Sequence, residues 1–236
     1  MSARMRSGCM VCGAPLVYAD AAESAACVYC GKAADTTVLC ESRHFVCDGC
    51  HAADGLGAIR SICGRTEETD MVALMRAIRA HPAISVHGPE HHAMVPAIMV
   101  ATYRNLGGDV GAKQLSLAIE RGAKVPGGFC GFAGACGAAV GVGIGFGAIL
   151  GASPVRPEKR RLVLRAVAEA LASIAEREAA RCCQRECWLA LRRAAELSRE
   201  LLPIALVADA PLVCEQHGRN KECIDRECPL FPDPDR

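Results

Sequence analysis

The sequence predicts a mainly α-helical protein, a helical domain around a glycine-rich central helix preceded by a small cysteine-rich module. Three observations predict it. Hydrophobic residues make up 51% of the 236 residues and aromatics only 4%, so Ala, Val, Leu, Ile and Gly must fill the core, which suits closely packed helices better than an aromatic-rich β-sandwich. The 31 residues from Val125 to Val155 carry no charge and include ten glycines. Eight of the 16 cysteines fall between residues 9 and 63.

With 27 basic and 26 acidic residues the formal charge is +1, too small to gather nucleic acid by a long-range field, and no nucleic-acid partner is expected. The first twelve residues, MSARMRSGCMVC, lack the apolar stretch of a secretory signal. The chain is therefore expected in the cytoplasm, where thiols stay reduced and clustered cysteines serve metals or catalysis.

In the leading segment, residues 1–64, the breakers argue against long helices and the apolar mass is too small for an independent core. Cys9-Met-Val-Cys12-Gly and Cys27-Val-Tyr-Cys30-Gly are matching knuckles 14 residues apart. In each, two sulfurs reach one ion while the glycine lets the backbone turn beneath them. Four such thiolates describe a tetrahedral zinc site in a zinc-ribbon-like module; a four-cysteine iron centre uses the same spacing, with zinc the default. Cys40, Cys47 and Cys50, with His44 or His51, make a second four-ligand set. The two groups abut closely enough for their pairs to interleave, and spacing leaves the partition open. Cys63 reads as a single buried cysteine.

Residues 65–208 form the expected helical domain. Thr66, followed by Glu67, Glu68 and Asp70, is the expected N-cap of a helix through Met71, Leu74, Met75 and Ile78 that stops at His81-Pro82. A second helix opens at Pro89-Glu90, carries Met94, Ile98 and Met99, bends near Pro96, and ends at Asn105 to Gly108. A third covers Val110 to Arg121. The uncharged run then reads as a buried helix rather than a membrane span, with Gly137, Gly141 and Gly145 at the spacing that lets helix backbones approach. Pro154 and Pro157 open a helix with a stripe of Leu164, Val167, Leu171 and Ile174. The next stripe is Cys187, Leu191, Ala194, Ser198 and Leu201, ended by Pro203. Ile204 to Val207 reads as a short strand, and residues 209–236 as a cysteine-containing tail packed on the domain.

Three motifs offer a second site. His87-Gly-Pro-Glu90-His91-His92 sets three histidines and a carboxylate at a helix start, more polar capacity than capping needs. Cys130 and Cys136 lie in the glycine-rich entry to the apolar helix, where free amides favour an anion. Arg181-Cys182-Cys183-Gln-Arg185-Glu-Cys187 flanks its thiols with arginines, which favour thiolates. Cys130, Cys136, Cys182, Cys183, His87, Glu90 and His91 are the candidate catalytic residues. In the tail, Cys214, Cys223 and Cys228-Pro229, with His217 nearby, are candidate cofactor ligands. With the other cysteines they suffice for an iron–sulfur cluster.

The stretches HGPEHHAMVPAIMVATYRN, GGFCGFAGACGAAVGVGIG, ARCCQR and NKECIDRECPLFP, spanning residues 85–232, resemble a cysteine-rich family of uncharacterised prokaryotic proteins, some of whose members look like extensions of radical-SAM proteins. The resemblance implies a setting near iron–sulfur or one-carbon chemistry and a radical-SAM protein as a partner. It brings no catalytic assignment. The chain has no Cys-x3-Cys-x2-Cys run and no Gly-rich loop between a clear strand and helix, so self-contained radical-SAM or nucleotide chemistry is not expected. The expected function is a metal-binding cysteine-rich protein, with structural zinc and a second Cys/His site for redox, iron–sulfur or sulfur-handling chemistry on an unknown small molecule. The alternative is a zinc-ribbon interaction module on a helical scaffold without catalysis.

Overall fold

The computed structural model describes residues 8–29 and 31–232. Strands β1 (Leu16–Ala26) and β2 (Ala33–Cys40) form an antiparallel hairpin in which Leu16 pairs with Cys40 and Ala26 with Ala33, the register shifting between Tyr18 and Glu23. The rest is helical: α1 (Asp48–Arg65), α2 (Met71–Arg79), α3 (Glu90–Asn105), α4 (Ala112–Gly122), the single turn α5 (Phe129–Phe132), α6 (Gly137–Leu150), α7 (Pro157–Ala175) and α8 (Cys183–Leu201), with 3-10 turns at His217–Arg219 and Asp225–Glu227. Among the described residues no helix is long and apolar enough to cross a membrane.

Helix α1 is the first departure from expectation. Despite Gly49, Gly55, Gly57 and Gly64 it runs for 18 residues, because its second half is not a free segment: Ile59 and Cys63 are fully buried in the main core. Tertiary burial overrides the weak local propensity. The second departure is the start of α2. Asp70, not Thr66, is the N-cap, its Oδ1 accepting from the amides of Val72 and Ala73 at 2.8 and 2.9 Å. Its Oδ2 accepts from Asp209 and Ala210, so one carboxylate both caps α2 and ties down the chain after α8. In that chain Val207 makes an isolated bridge with Asp70; the strand expected over 204–207 does not form.

Helix α3 lies at the centre, packed by α1, α2, α4, α6 and α8, and every side chain from Ala93 to Tyr103 is buried. Pro96 sits inside it. The glycine-rich helix α6 lies against α3 for a steric reason. A Cβ at Gly137 would fall 2.1 Å from the His92 ring, at Gly141 3.0 Å from Val95 and Pro96, and at Gly145 2.6 Å from Met99. The stripe at spacing four is thus the groove that receives α3, and a Cβ at Gly143, on another face, would fall 2.3 Å from Val167 of α7. On α7 the buried positions are Ala166 and Ala170, with Val167 and Leu171 half-buried. Leu164, expected on the apolar stripe, is exposed, since the short alanines let α7 approach with a narrower face. On α8, Cys187, Leu191, Ala194 and Ser198 face the interior as expected.

Substituting alanine in helices separates packing from propensity. Gly137→Ala forces overlap with a ring and should cost about 1–3 kcal/mol. At Gly57, exposed on α1 with nothing within 4 Å of the added Cβ, the same change should stabilise by roughly 0.5–1 kcal/mol. Denaturant midpoints of the two variants should move in opposite directions.

Candidate metal centres and thiol cleft

Two groups of ligand atoms stand in the N-terminal module, each with all its members within 4.8 Å of one another: Cys9, Cys12, Cys40 and His44, and Cys27, Cys47 and Cys50. In the first, Cys9 Sγ lies 3.9 Å from His44 Nδ1, Cys12 Sγ 3.9 Å from Cys40 Sγ, and Cys40 Sγ 3.6 Å from His44 Nδ1. A tetrahedron of sulfur and nitrogen about zinc, with bonds of roughly 2.0–2.3 Å, has edges of roughly 3.5–3.8 Å. The donor set and its spacing fit that ion. Backbone amides support the sulfurs: Val11 N donates to Cys9 Sγ, His44 N to Cys40 Sγ and Cys47 N to Cys27 Sγ, at 3.2–3.4 Å. The amide of Ala14, then His44, holds the exposed Cys12 thiol down to about 6.

The partition differs from the simplest reading of the knuckles. Cys9 and Cys12 join Cys40 and His44 across the hairpin, while Cys27 joins Cys47 and Cys50 at the start of α1. The pairs interleave because β1 carries the chain from one knuckle to the other end of the hairpin and β2 brings it back, so each knuckle meets the residues that follow two segments later. Cys30 lies outside the described residues. Gly13 and Gly31 take left-handed φ values of 75° and 71°, each donating its amide to the carbonyl of the first cysteine of its knuckle, as the sequence suggested. His51 joins neither group and faces Glu90, with Nδ1 3.6 Å from Oε2.

The four polar side chains of the HGPEHH motif have separate partners. Glu90 Oε1 accepts from Ser85 N at 2.9 Å. Burial alone would raise this carboxyl, but the nearby His51 and His91 imidazoles and the Ser85 amide hold it down at about 2. His91 is enclosed: its Nε2 accepts from the Arg79 guanidinium, which requires the proton on Nδ1, and Nδ1 donates to Gly88 O at 2.9 Å. Burial, then Arg79, depresses His91 to about 3. His87 Nε2 faces Asn220 Oδ1 at 2.9 Å and so carries the ring proton; its Nδ1 is buried without a hydrogen-bond partner among the described residues. His92 donates from Nδ1 to Val125 O.

Arg79 was not legible as a site residue. It is buried at 4% exposure, with Nε on Gln184 Oε1 at 3.1 Å, one terminal nitrogen on His91 and the other on Gln216 Oε1. A basic residue in the last turn of a helix ordinarily reads as a surface partner of the helix dipole. Glu186, equally unforeseen, accepts from Cys136 Sγ at 3.3 Å and Cys182 N at 3.0 Å, and lies 3.7 Å from Arg185. The RCCQREC motif held the only hint of it.

The flanking arginines and helix amides do not make these cysteines thiolates. Burial, reinforced by Glu186, raises Cys130, takes Cys183 up to about 12 and pushes Cys136 still further; burial also raises Cys182 and, strongly, Cys187. Desolvation outweighs the arginines here. Cys136 and Cys182 meet through Glu186, whereas Cys130 and Cys183 line a cleft of about 500 Å³ between the module and the helical body. Its walls carry Cys47, Asp48 and His51 on one side and His87, Arg181 and Lys221 on the other. Among the described residues, no three of Cys130, Cys136, Cys182, Cys183, Cys214, Cys223 and Cys228 bring their sulfurs within 4.8 Å of one another, as a single ion requires.

The sequence model of a family of unknown function, DUF5714, matches residues 59–231. The chain belongs to this family. The DUF5714 match takes in Arg79, the HGPEHH motif, Glu186 and all the later cysteines, and begins after the metal-ligand groups. No curated protein and no solved structure matches the chain.

A buried neutral histidine makes stability depend on pH. Unfolded His91 takes up a proton near the usual value of about 6.5, while the folded ring resists until about 3. The unfolded state therefore gains protons first, and stability contributed above pH 6.5 is lost as pH falls toward 3. Denaturant titrations from pH 7 to 4 should show a shallower decline for His91→Gln than for the unaltered protein.

Proposed function

We propose that this DUF5714 protein is a metal-binding thiol protein in which two zinc ions fold the N-terminal module and hold it against a second Cys/His site that handles electrons or sulfur. The observation that carries the reading is the cleft where module and body meet, because it gathers Cys130, Cys183 and His87 beside Arg181 and Lys221. The lining is of mixed charge, with Arg181, Arg219 and Lys221 against Asp35, Asp48 and Glu222, which suits a small polar molecule. Burial holds these thiols protonated, and exchange and ligation both run through the thiolate, so the site acts once a bound partner draws the proton off. The reading places the protein in the reducing cytoplasm.

A second reading treats the module as a docking face. Val17, Val28 and Tyr29 are each about half exposed, at 50%, 50% and 53%. Apolar side chains so placed fit a protein partner, and the resemblance suggests a radical-SAM protein.

Two measurements test the leading reading. Elemental analysis of the full chain should find two zinc ions, and double variants should report their partition: Cys9→Ser with Cys40→Ser should lose one ion, Cys9→Ser with Cys27→Ser two. The reverse pattern would reinstate the non-interleaved arrangement. For the cleft, the chain is equilibrated with reduced and oxidised glutathione at stepped potentials and its thiols are mapped by mass spectrometry. Cys130 and Cys183 should oxidise while buried Cys63 stays reduced. If both remain reduced with Cys63 throughout, the redox reading of the cleft fails.

A further inference from the structure

We propose that the groove between α6 and α7 binds a single-chain amphiphile with an anionic head, of which a medium-chain carboxylate is the simplest. The groove shares no lining residue with the thiol cleft, and the proposal depends on neither the zinc module nor the cysteines. At about 320 Å³ it falls within the range of small-molecule sites.

The floor of the groove is bare backbone. Helix α6 gives Gly137, Gly141 and Gly145 to α3, and Gly143 and Gly147 line the groove. The Cβ position of Gly143 meets Val167 and that of Gly147 meets Val163, so α6 and α7 run antiparallel along it. Gly143 is in tight contact, but at Gly147 the nearest atoms, on Arg121 and Val163, are 3.9 Å from the Cβ position. The space over Gly147 is therefore open. Val140, Ile144, Val163 and Val167 stay half-buried, and Leu164 on the lip is 51% exposed. From Val140 to Gly147 the trough is about 10 Å long, at roughly 1.5 Å per residue.

Charge is confined to one end of this trough. Arg121, on the last turn of α4, stands beside Gly147 near the C-terminal end of α6. Arg160 lies on the first turn of α7, which the turn through Ala152, Ser153 and Pro154 brings to the same end. Neither arginine has an ion-pair partner among the described residues, whereas Arg165 and Arg193 pair with Glu169. Between Val155 and Arg165 a single acidic residue, Glu158, stands against five basic ones. The start of α7 has no side-chain cap, so its dipole adds to the positive field. The carbonyls at the end of α6, which would repel an anion, are already taken: Gly147 O by the Ala152 amide, Leu150 O by Lys159 and Gly151 O by Arg156.

The complementary ligand is read from this asymmetry. A chain laid from Gly147 toward Val140 and Val167 covers apolar surface along its whole length, and burial of that surface supplies the affinity. A carboxylate at the other end sits between Arg121 and Arg160, with the Ser153 hydroxyl on the same rim, and the charge fixes the direction in which the chain lies. An apolar helix of a second copy would cover the floor and leave both arginines unanswered.

The test is a calorimetric titration of the full chain with decanoate, kept below its micelle concentration. One saturable site is expected. Octanoate, shorter by two methylenes, should bind about tenfold more weakly, and decyltrimethylammonium should not bind. Reversing both exposed cations, Arg121→Glu with Arg160→Glu, should weaken decanoate by about tenfold. Gly147→Leu fills the open floor and should abolish binding, while its thermal midpoint holds or rises as expected for glycine replaced within a helix. Equal affinity for decanoate and the cationic amphiphile overturns the site, as does binding that Gly147→Leu leaves unchanged. A chain that ignores decanoate also overturns it, whether the chain dimerises through this face, with Leu164→Asp restoring the monomer, or sediments with anionic phospholipid vesicles instead.

Discussion

The arrangement of the helical body turns on one buried cation. Arg79 ends α2 and reaches α3 through His91, α8 through Gln184 and the C-terminal tail through Gln216. Four parts of the chain thus meet at one guanidinium, and the three besides α2 must each supply an acceptor in the right place for it to remain in the core. This constraint fixes the His91 tautomer, sets the HGPEHH turn against the start of α8, and brings the tail across the mouth of the thiol region. A hydrophobic side chain of similar volume would fill the same space without specifying where the tail lies.

The second organising feature is the continuity of α1. Its first turn carries Cys50 of one metal group, and three turns later Ile59 and Cys63 enter the main core. His51 on the same helix faces Glu90 at the start of α3. The cleft between module and body is therefore bordered by a helix that belongs to both. The backbone of α3 is in turn positioned by the bare face of α6, where Gly137, Gly141 and Gly145 receive His92, Val95, Pro96 and Met99.

What was legible in the sequence had a local cause. The Cys-x2-Cys-Gly knuckles, the helix opened by Pro89, the stripe on α8 and the close-packing role of Gly137, Gly141 and Gly145 each follow from spacing or backbone geometry over a few residues. What was not legible depended on distant partners. Nothing near Cys9 says that its companions are Cys40 and His44 rather than Cys27; that choice is made by the hairpin register. Thr66 is as good a cap residue as Asp70 until Asp209 and Ala210 arrive to claim the second carboxylate oxygen. The arginines beside Cys182 and Cys183 pointed to low thiol pKa values because sequence proximity displays charge and hides burial, and burial dominates.

The interleaving of the two metal groups has a consequence for the making of the protein. Synthesis proceeds from the N-terminus, so Cys9, Cys12, Cys27 and Cys30 leave the ribosome before Cys40 and His44. Those first four form by themselves a plausible zinc-binding set, with the wrong pairing. Under the proposed zinc assignment, a nascent chain that met zinc early would close a loop that must reopen before the hairpin can deliver Cys40 to Cys9. Ligands exchanging one at a time would then carry the ion to the native partition, and the order in which cysteines appear, as much as their final geometry, would set how quickly the module matures.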